Sequence, residues 1–204
     1  MKLFKITVGA LDENCIIAVS DENNAIVFDP GDEPEQILAL IEKENLSIKM
    51  IALTHGHFDH IGAVPDIFEK TGAQILIHEN DNVLLQNKKL RTPFYAVNVP
   101  EDFSAGRILT DGEVIELDEL RIRVMHTPGH TEGSCVFIVE DLIIAGDTLF
   151  FESVGRTDLY GGSTQALEQS LEKISALEGD YHVICGHGRD TTLSHERLNN
   201  PYFS

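Results

Sequence analysis

Apolar residues alternate with polar ones over 3–8, then run almost unbroken over 16–19 and 25–28. The polar turn Asp21-Glu22-Asn23-Asn24 separates the last two runs. Alternation with period two marks a strand, so the chain is expected to open as an antiparallel meander. After Asp29-Pro30-Gly31 the period lengthens: Pro34 stands where a first helical turn tolerates it, and Ile37, Leu38 and Ile41 share one face. Residues 49–53 read as a short buried strand, 61–71 as a helix stopped by Gly72, 74–78 as a strand and 81–86 as a short helix. Residues 87–107 hold Pro93, Pro100, Phe94, Tyr95 and Phe103 without any period, and read as a long loop that is a lid, a binding wall or variable surface. The strand pattern returns at 114–117, 120–125, 134–139 and 142–145, before an amphipathic helix over 164–177 and a last strand at 181–185. Strands then helices, twice over, predict an α/β fold: a four-layer αββα sandwich of two mixed sheets with helices outside, built by residues 1–204 as one domain.

Composition narrows the partners. With 42% hydrophobic and 24% charged residues the chain falls in the ordered globular range. Its 15 basic residues against 34 acidic ones give a net charge of −19, which repels phosphate backbones and anionic lipid. The densest basic cluster, Lys88, Lys89 and Arg91, is too small to reverse that, so neither nucleic acid nor membrane is an expected partner. No apolar run is long enough to span a bilayer, and Met1-Lys2-Leu3-Phe4-Lys5 does not resemble a secretion signal. Cys15, Cys135 and Cys185 are odd in number, far apart and set in apolar sequence. They read as reduced core thiols, and the chain as cytoplasmic.

The chemistry is concentrated at four expected strand ends. Thr54-His55-Gly56-His57-Phe58-Asp59-His60 places three imidazoles and a carboxylate within six residues. With nine histidines in the chain, such a cluster arises by chance with a probability of roughly 10⁻³. Imidazole nitrogen with carboxylate oxygen suits zinc, iron or manganese better than calcium or magnesium. Thr127-Pro128-Gly129-His130-Thr131, Ala145-Gly146-Asp147-Thr148 and Cys185-Gly186-His187-Gly188 each put one potential ligand beside a glycine just past a strand. Singly each is weak; together they make one site the economical explanation. Asp29 is read as a carboxylate able to orient a ligand imidazole or as a turn residue. Thr54 and Thr131 are expected to satisfy local backbone. His78, His126, His182 and His195 are expected to be structural. Arg156, close after Asp147, is either a clamp for a substrate carboxylate or a structural partner of Asp158 or Asp147.

Taken in order, His-x-His-x-Asp-His, His130, Asp147 and His187 resemble the metallo-β-lactamase superfamily of binuclear metallohydrolases. Gly146-Asp147-Thr148-Leu149-Phe150 and Gly155-Arg156-Thr157-Asp158 are similar to its glyoxalase II (hydroxyacylglutathione hydrolase) branch, and the Gly186-His187-Gly188 tail to its short bacterial single-domain members. The resemblance implies two divalent transition-metal ions, zinc first, with iron or manganese as alternatives. One would be held by His55, His57 and His130, the other by Asp59, His60 and His187, with Asp147 shared. It implies attack by a hydroxide between the ions, oriented by Asp59, on a small anionic acyl thioester such as S-lactoylglutathione. It also implies that a cation at Arg156 contacts the thiol portion. The branch's additional helical region is not expected here, and Asp158 stands where the branch has its tyrosine after the cation. The persulfide dioxygenases, which use a single iron, share the Gly-Arg-Thr-Asp segment and form the alternative; lactone, ester or amide hydrolysis by the same superfamily is a further one.

Overall fold

The structure, a computed structural model, describes residues 1–91 and 99–203. One six-stranded sheet holds β1 (Lys2–Val8), β2 (Glu13–Val19), β3 (Asn24–Phe28), β4 (Ser47–Ala52), β5 (Gln74–His78) and β6 (Arg107–Leu109) in that order. Its first three strands are antiparallel and the rest parallel, so the sheet is mixed. The second sheet uses β7 (Val114–Leu117), β8 (Leu120–His126), β9 (Cys135–Val139) and β10 (Leu142–Gly146). A small ribbon of β11 (Leu149–Phe150) and β12 (Ser153–Val154) follows, and β13 (His182–Cys185) with β14 (Thr191–Thr192) completes the sheet as β14-β13-β10-β9-β8-β7. The pair β10–β13 is its parallel pair; the others are antiparallel.

Period two along each strand divides the core into layers. In β2 and β3, Ile16, Ala18, Ile26 and Phe28 face the second sheet, meeting Ile122, Val124, Phe137 and Ile144. Phe28 and Phe137 touch across the gap with centroids 5.1 Å apart. Their sequence neighbours Cys15, Ile17, Ala25 and Val27 point the other way, onto α1 (Pro34–Lys43), α2 (Phe58–Ile61) and α3 (Val64–Thr71). The short helices α4 (Asn82–Leu85) and α5 (Lys88–Arg91) follow β5. Outside the second sheet, Leu167, Leu171 and Ile174 of α6 (Thr164–Ser175) and Leu193 of α7 (Leu193–Asn199) cover Val136, Ile143 and Val183. Helices, sheet, sheet, helices: the four expected layers are present. The three cysteines are free and buried. Among the described residues, no helix is long and apolar enough to cross a membrane.

Two expectations need correction. The helix expected over 61–71 is two, because Pro65 has no N–H for the Ile61 carbonyl and the helix restarts at Val64. The stretch 87–107 is also not one irregular loop. It contains α5, and its last residue, Arg107, opens β6; three residues of strand, paired to β5, are too few to show a period. Arg91 is fully buried, its guanidinium donating to the carbonyls of Leu84, Leu85, Pro100 and Glu101 and to Asp102, so the expected basic cluster is not a surface patch. Phe103 packs on the first core layer. Pro93, Phe94 and Tyr95 lie outside the described residues.

Candidate metal centre

All four segments converge at one edge of the sandwich, each leaving the end of a core strand. Residues 54–60 follow β4, His130 follows β8, Asp147 follows β10 and His187 follows β13. Gly146 has φ +48°, and a Cβ there would strike Thr54; a Cβ at Gly186 would strike Asp147 Oδ1. Only glycine lets the two loops pass this close.

Hydrogen bonds assign the imidazole tautomers. Thr54 Oγ1 donates to Asp29 Oδ2 (2.5 Å) and therefore accepts from His55 Nδ1 at 3.0 Å. His60 Nδ1 donates to Asp29 Oδ2 at 3.0 Å, His130 Nδ1 to the Arg156 carbonyl at 2.8 Å, and His187 Nδ1 to the Leu11 carbonyl at 2.9 Å. With that proton committed outward, neutral His55 and His130 turn a bare Nε2 lone pair inward, and His60 and His187 also direct Nε2 into the cluster. His57 meets His130 Nε2 with its Nδ1 at 2.8 Å, and His60 Nε2 lies 3.2 Å from His187 Nε2.

Asp147 sits between two groups. Its Oδ1 is 3.3 Å from His60 Nε2 and 3.5 Å from His187 Nε2, while its Oδ2 is 3.5 Å from His130 Nε2. Asp59 Oδ2 is 3.4 Å from His187 Nε2. The ligand atoms of His55, His57 and His130 lie within 4.8 Å of one another, as do those of Asp59, His60 and His187. Asp29, His55 and His60 form a third such set. Asp29 already accepts from Thr54 N, Thr54 Oγ1 and His60, so its carboxylate is engaged at both ends of the 54–60 segment.

The electrostatics differ across this cluster. Burial, reinforced by neighbouring imidazoles, holds His55 well below the usual histidine range; burial and then His130 bring His57 down to about 3. Burial also lowers His130. These three are neutral at pH 7 and available as donors. Burial again opposes charge on His60 and His187, but Asp147, Asp29 and Asp59 outweigh it for His60, and Asp59 and Asp147 for His187, so both are raised. Asp147 is held ionised: burial opposes its charge, and His60, His130 and His187 together overcome that.

Does this cluster fit transition-metal ions? His55 Nε2 and Asp147 Oδ1 are buried with no hydrogen-bond partner. Buried polar atoms are rarely orphaned without a reason. Five imidazoles around two acidic side chains match the donors preferred by zinc, iron and manganese. The residues present fit such ions.

The comparisons agree with the geometry. Residues 8–187 match the family model of the metallo-beta-lactamase superfamily. The chain belongs to the metallo-beta-lactamase superfamily. A curated relative in this superfamily, hydroxyacylglutathione hydrolase GloC of Haemophilus influenzae, is 34% identical over 209 residues, covering 100% of this chain and 99% of that protein. The crystal structure of the BLEG-1 B3 metallo-beta-lactamase superposes with a TM-score of 0.94 at 31% identity, over 100% of both chains. TTHA1623, crystallised in a di-iron-bound form, gives a TM-score of 0.88 at 35% identity over 98% of this chain and 99% of that one.

Around the cluster lies an open cleft of about 450 Å³ lined by apolar Leu11, Phe58, Leu90 and Leu159 with Tyr160 and Arg156. Arg156 forms a two-pronged pair with Asp158, Nε to Oδ1 at 2.6 Å and Nη2 to Oδ2 at 2.8 Å. The structural pairing expected of it is therefore present, and so is its place in the cleft wall. His78 stacks on His126, His182 bonds Asp190 and His195 bonds Glu152, all outside the cluster. Thr54 and Thr131 depart from expectation: their hydroxyls donate to the buried carboxylates of Asp29 and Asp81.

Three buried residues escaped the sequence reading. Asp81 accepts from Gly56 N (2.9 Å), Gly133 N (2.7 Å) and Thr131 Oγ1 (2.7 Å), tying the loop of His55 and His57 to the loop of His130. Glu13 and Asn14 enter β2 beside His60 and His187. The available signal was a polar pair opening an otherwise apolar strand. Asp81 had none, being one acid among 34.

Proposed function

We propose that this chain hydrolyses a small acyl thioester with an anionic thiol portion, S-lactoylglutathione being the first substrate to test. Residues 1–204 act as one domain in this reading. His55, His57 and His130 hold one divalent ion, Asp59, His60 and His187 hold a second, and Asp147 serves both. Zinc is the first candidate, iron or manganese the next. The observation that carries the reading is the division of Asp147, one oxygen towards each group of imidazoles. When bound, such ions polarise an acyl carbonyl and make water nucleophilic at neutral pH.

The chain's own residues supply the rest. Asp59, partly exposed to the cleft, orients the attacking water as well as ligating. Arg156, steadied by Asp158, faces the carboxylates of the thiol portion from the cleft wall, a cation on a chain whose net charge is −19. Leu11, Phe58, Leu90 and Leu159 receive apolar parts of the substrate and exclude water from them. A thiolate departs without needing a proton from a general acid. The identity to a hydroxyacylglutathione hydrolase supports this substrate class.

Elemental analysis together with thiol release from S-lactoylglutathione tests the reading. About two ions per chain with thioester cleavage is the expected result. One iron per chain, with oxygen consumed on glutathione persulfide and no thioester cleavage, overturns it.

A further inference from the structure

His60 leaves the same short loop as His55 and His57, whereas His187 arrives from 127 residues later in the chain. Its Nε2 must reach the site of the second ion from the partly exposed edge of the cluster. What holds it there comes mainly from residues 11–14. The Leu11 carbonyl accepts from His187 Nδ1 (2.9 Å), and Asn14 N donates to the Gly186 carbonyl (2.8 Å). Asn14 Nδ2 donates to the carbonyls of both Cys185 and Gly188, each at 3.0 Å. Glu13 forms an isolated backbone bridge with His187.

One amide therefore spans the His187 turn, gripping the carbonyl two residues before the imidazole and the one just after it. Its orientation is fixed: Oδ1 accepts from Thr7 Oγ1 (3.1 Å), which leaves both Nδ2 protons for the two carbonyls. Asn14 is buried, so water cannot readily take over either bond. On its far side the same turn is tied by Gly186 N to the Gly146 carbonyl, next to Asp147 (2.8 Å). The first group of ligands makes no use of this device; its loops are joined by Asp81 instead.

We infer that Asn14 is a positioning residue for His187, setting the affinity of the second ion site separately from the first. The inference rests on the two-ion reading above. Asn14→Asp keeps the shape but replaces the double donor with a carboxylate facing two carbonyls. Thr7→Val, at an exposed position, only releases the amide's orientation.

Stepwise titration of metal-stripped protein with zinc against a chromophoric chelator, and with cobalt followed by its visible spectrum, reads the two sites separately. In Asn14→Asp the first equivalent is expected to bind as in the wild type and the second about 10–100-fold more weakly. Thr7→Val is expected to lose a few-fold, again on the second equivalent alone. Excess metal restores kcat in both, which a general loss of structure would not allow. Wild type with two ions and both variants indistinguishable from it overturn the proposal alone, as does an equal weakening of both sites. A wild type that binds a single ion overturns the two-ion reading and this proposal with it. If Asn14→Asp fails to fold, Thr7→Val decides.

Discussion

The two halves of the candidate metal centre are built differently. His55, His57 and His130 are buried, all imidazole, and carried by loops that the Asp81 carboxylate joins from behind. Asp59, His60 and His187 mix imidazole with carboxylate, and their outer members keep 16% and 23% of their side chains exposed. The first half is the more deeply buried, while the second presents its outer members to the cleft. A closed ligand set favours retention of an ion, and an open one leaves room for substrate. The first site is therefore expected to fill earlier and empty later.

The change that should abolish the distinction is Asp147→Ala, since this residue faces both halves. Affinity for both ions is expected to fall, and kcat/KM with it by on the order of 10³–10⁴-fold, because several kcal/mol of charge stabilisation goes with them. Elemental analysis and steady-state kinetics check this. Loss of one ion with the other retained would show that the halves do not share the residue.

Asp81→Ala attacks the closed half alone. It strands the N–H groups of Gly56 and Gly133 and the Thr131 hydroxyl in the interior. Each orphan costs about 1–3 kcal/mol and the three are not additive, so a loss of about 3–5 kcal/mol is expected in urea unfolding. The first metal equivalent should weaken more than the second, the reverse of Asn14→Asp.

Arg156 separates backbone from side chain. Its carbonyl holds His130, while its guanidinium lies in the cleft wall. Arg156→Ala is therefore expected to leave both ions in place and to raise KM for an anionic thioester by about 5–30-fold relative to a neutral one, the range for about 1–2 kcal/mol at an exposed charge pair. Parallel losses on both substrates, together with a lowered Tm, would make the Asp158 pair its whole role.

Why was one kind of residue legible and the other not? Every candidate ligand stands in a short motif after an apolar run, because a strand must end before its loop can turn a side chain inward. That signal is local. Asp81 and Asn14 tie down loops 25 to 174 residues away, and no local pattern marks such a pairing. The layers were legible for the same reason as the ligands: β2 and β3 show period two or an unbroken apolar run. The strands β6, β11, β12 and β14 have only two or three residues each and are defined by their partners. Pro65 was visible, but the apolar residues on both sides of it made one helix look continuous.

The smallest effect follows from the opposite electrostatics of the two halves in metal-stripped protein. His55, His57 and His130 titrate below the unfolded value near 6.5, so the stability they contribute is present above that pH and lost as pH falls through it. His60 and His187 titrate above it, so their contribution is present below pH 6.5 and lost as pH rises through their raised values. Around pH 6.5 the two slopes oppose and partly cancel. Removing one member should tilt the balance: Tm of stripped His57→Asn should fall more steeply with rising pH than that of the stripped wild type, and Tm of stripped His187→Asn less steeply. Bound ions demand unprotonated ligands, so refilling should make Tm rise with pH through the same window. Thermal melts across pH 5.5–8, with and without chelator, measure all three slopes; equal tilts in the two variants would mean that the halves do not differ in charge.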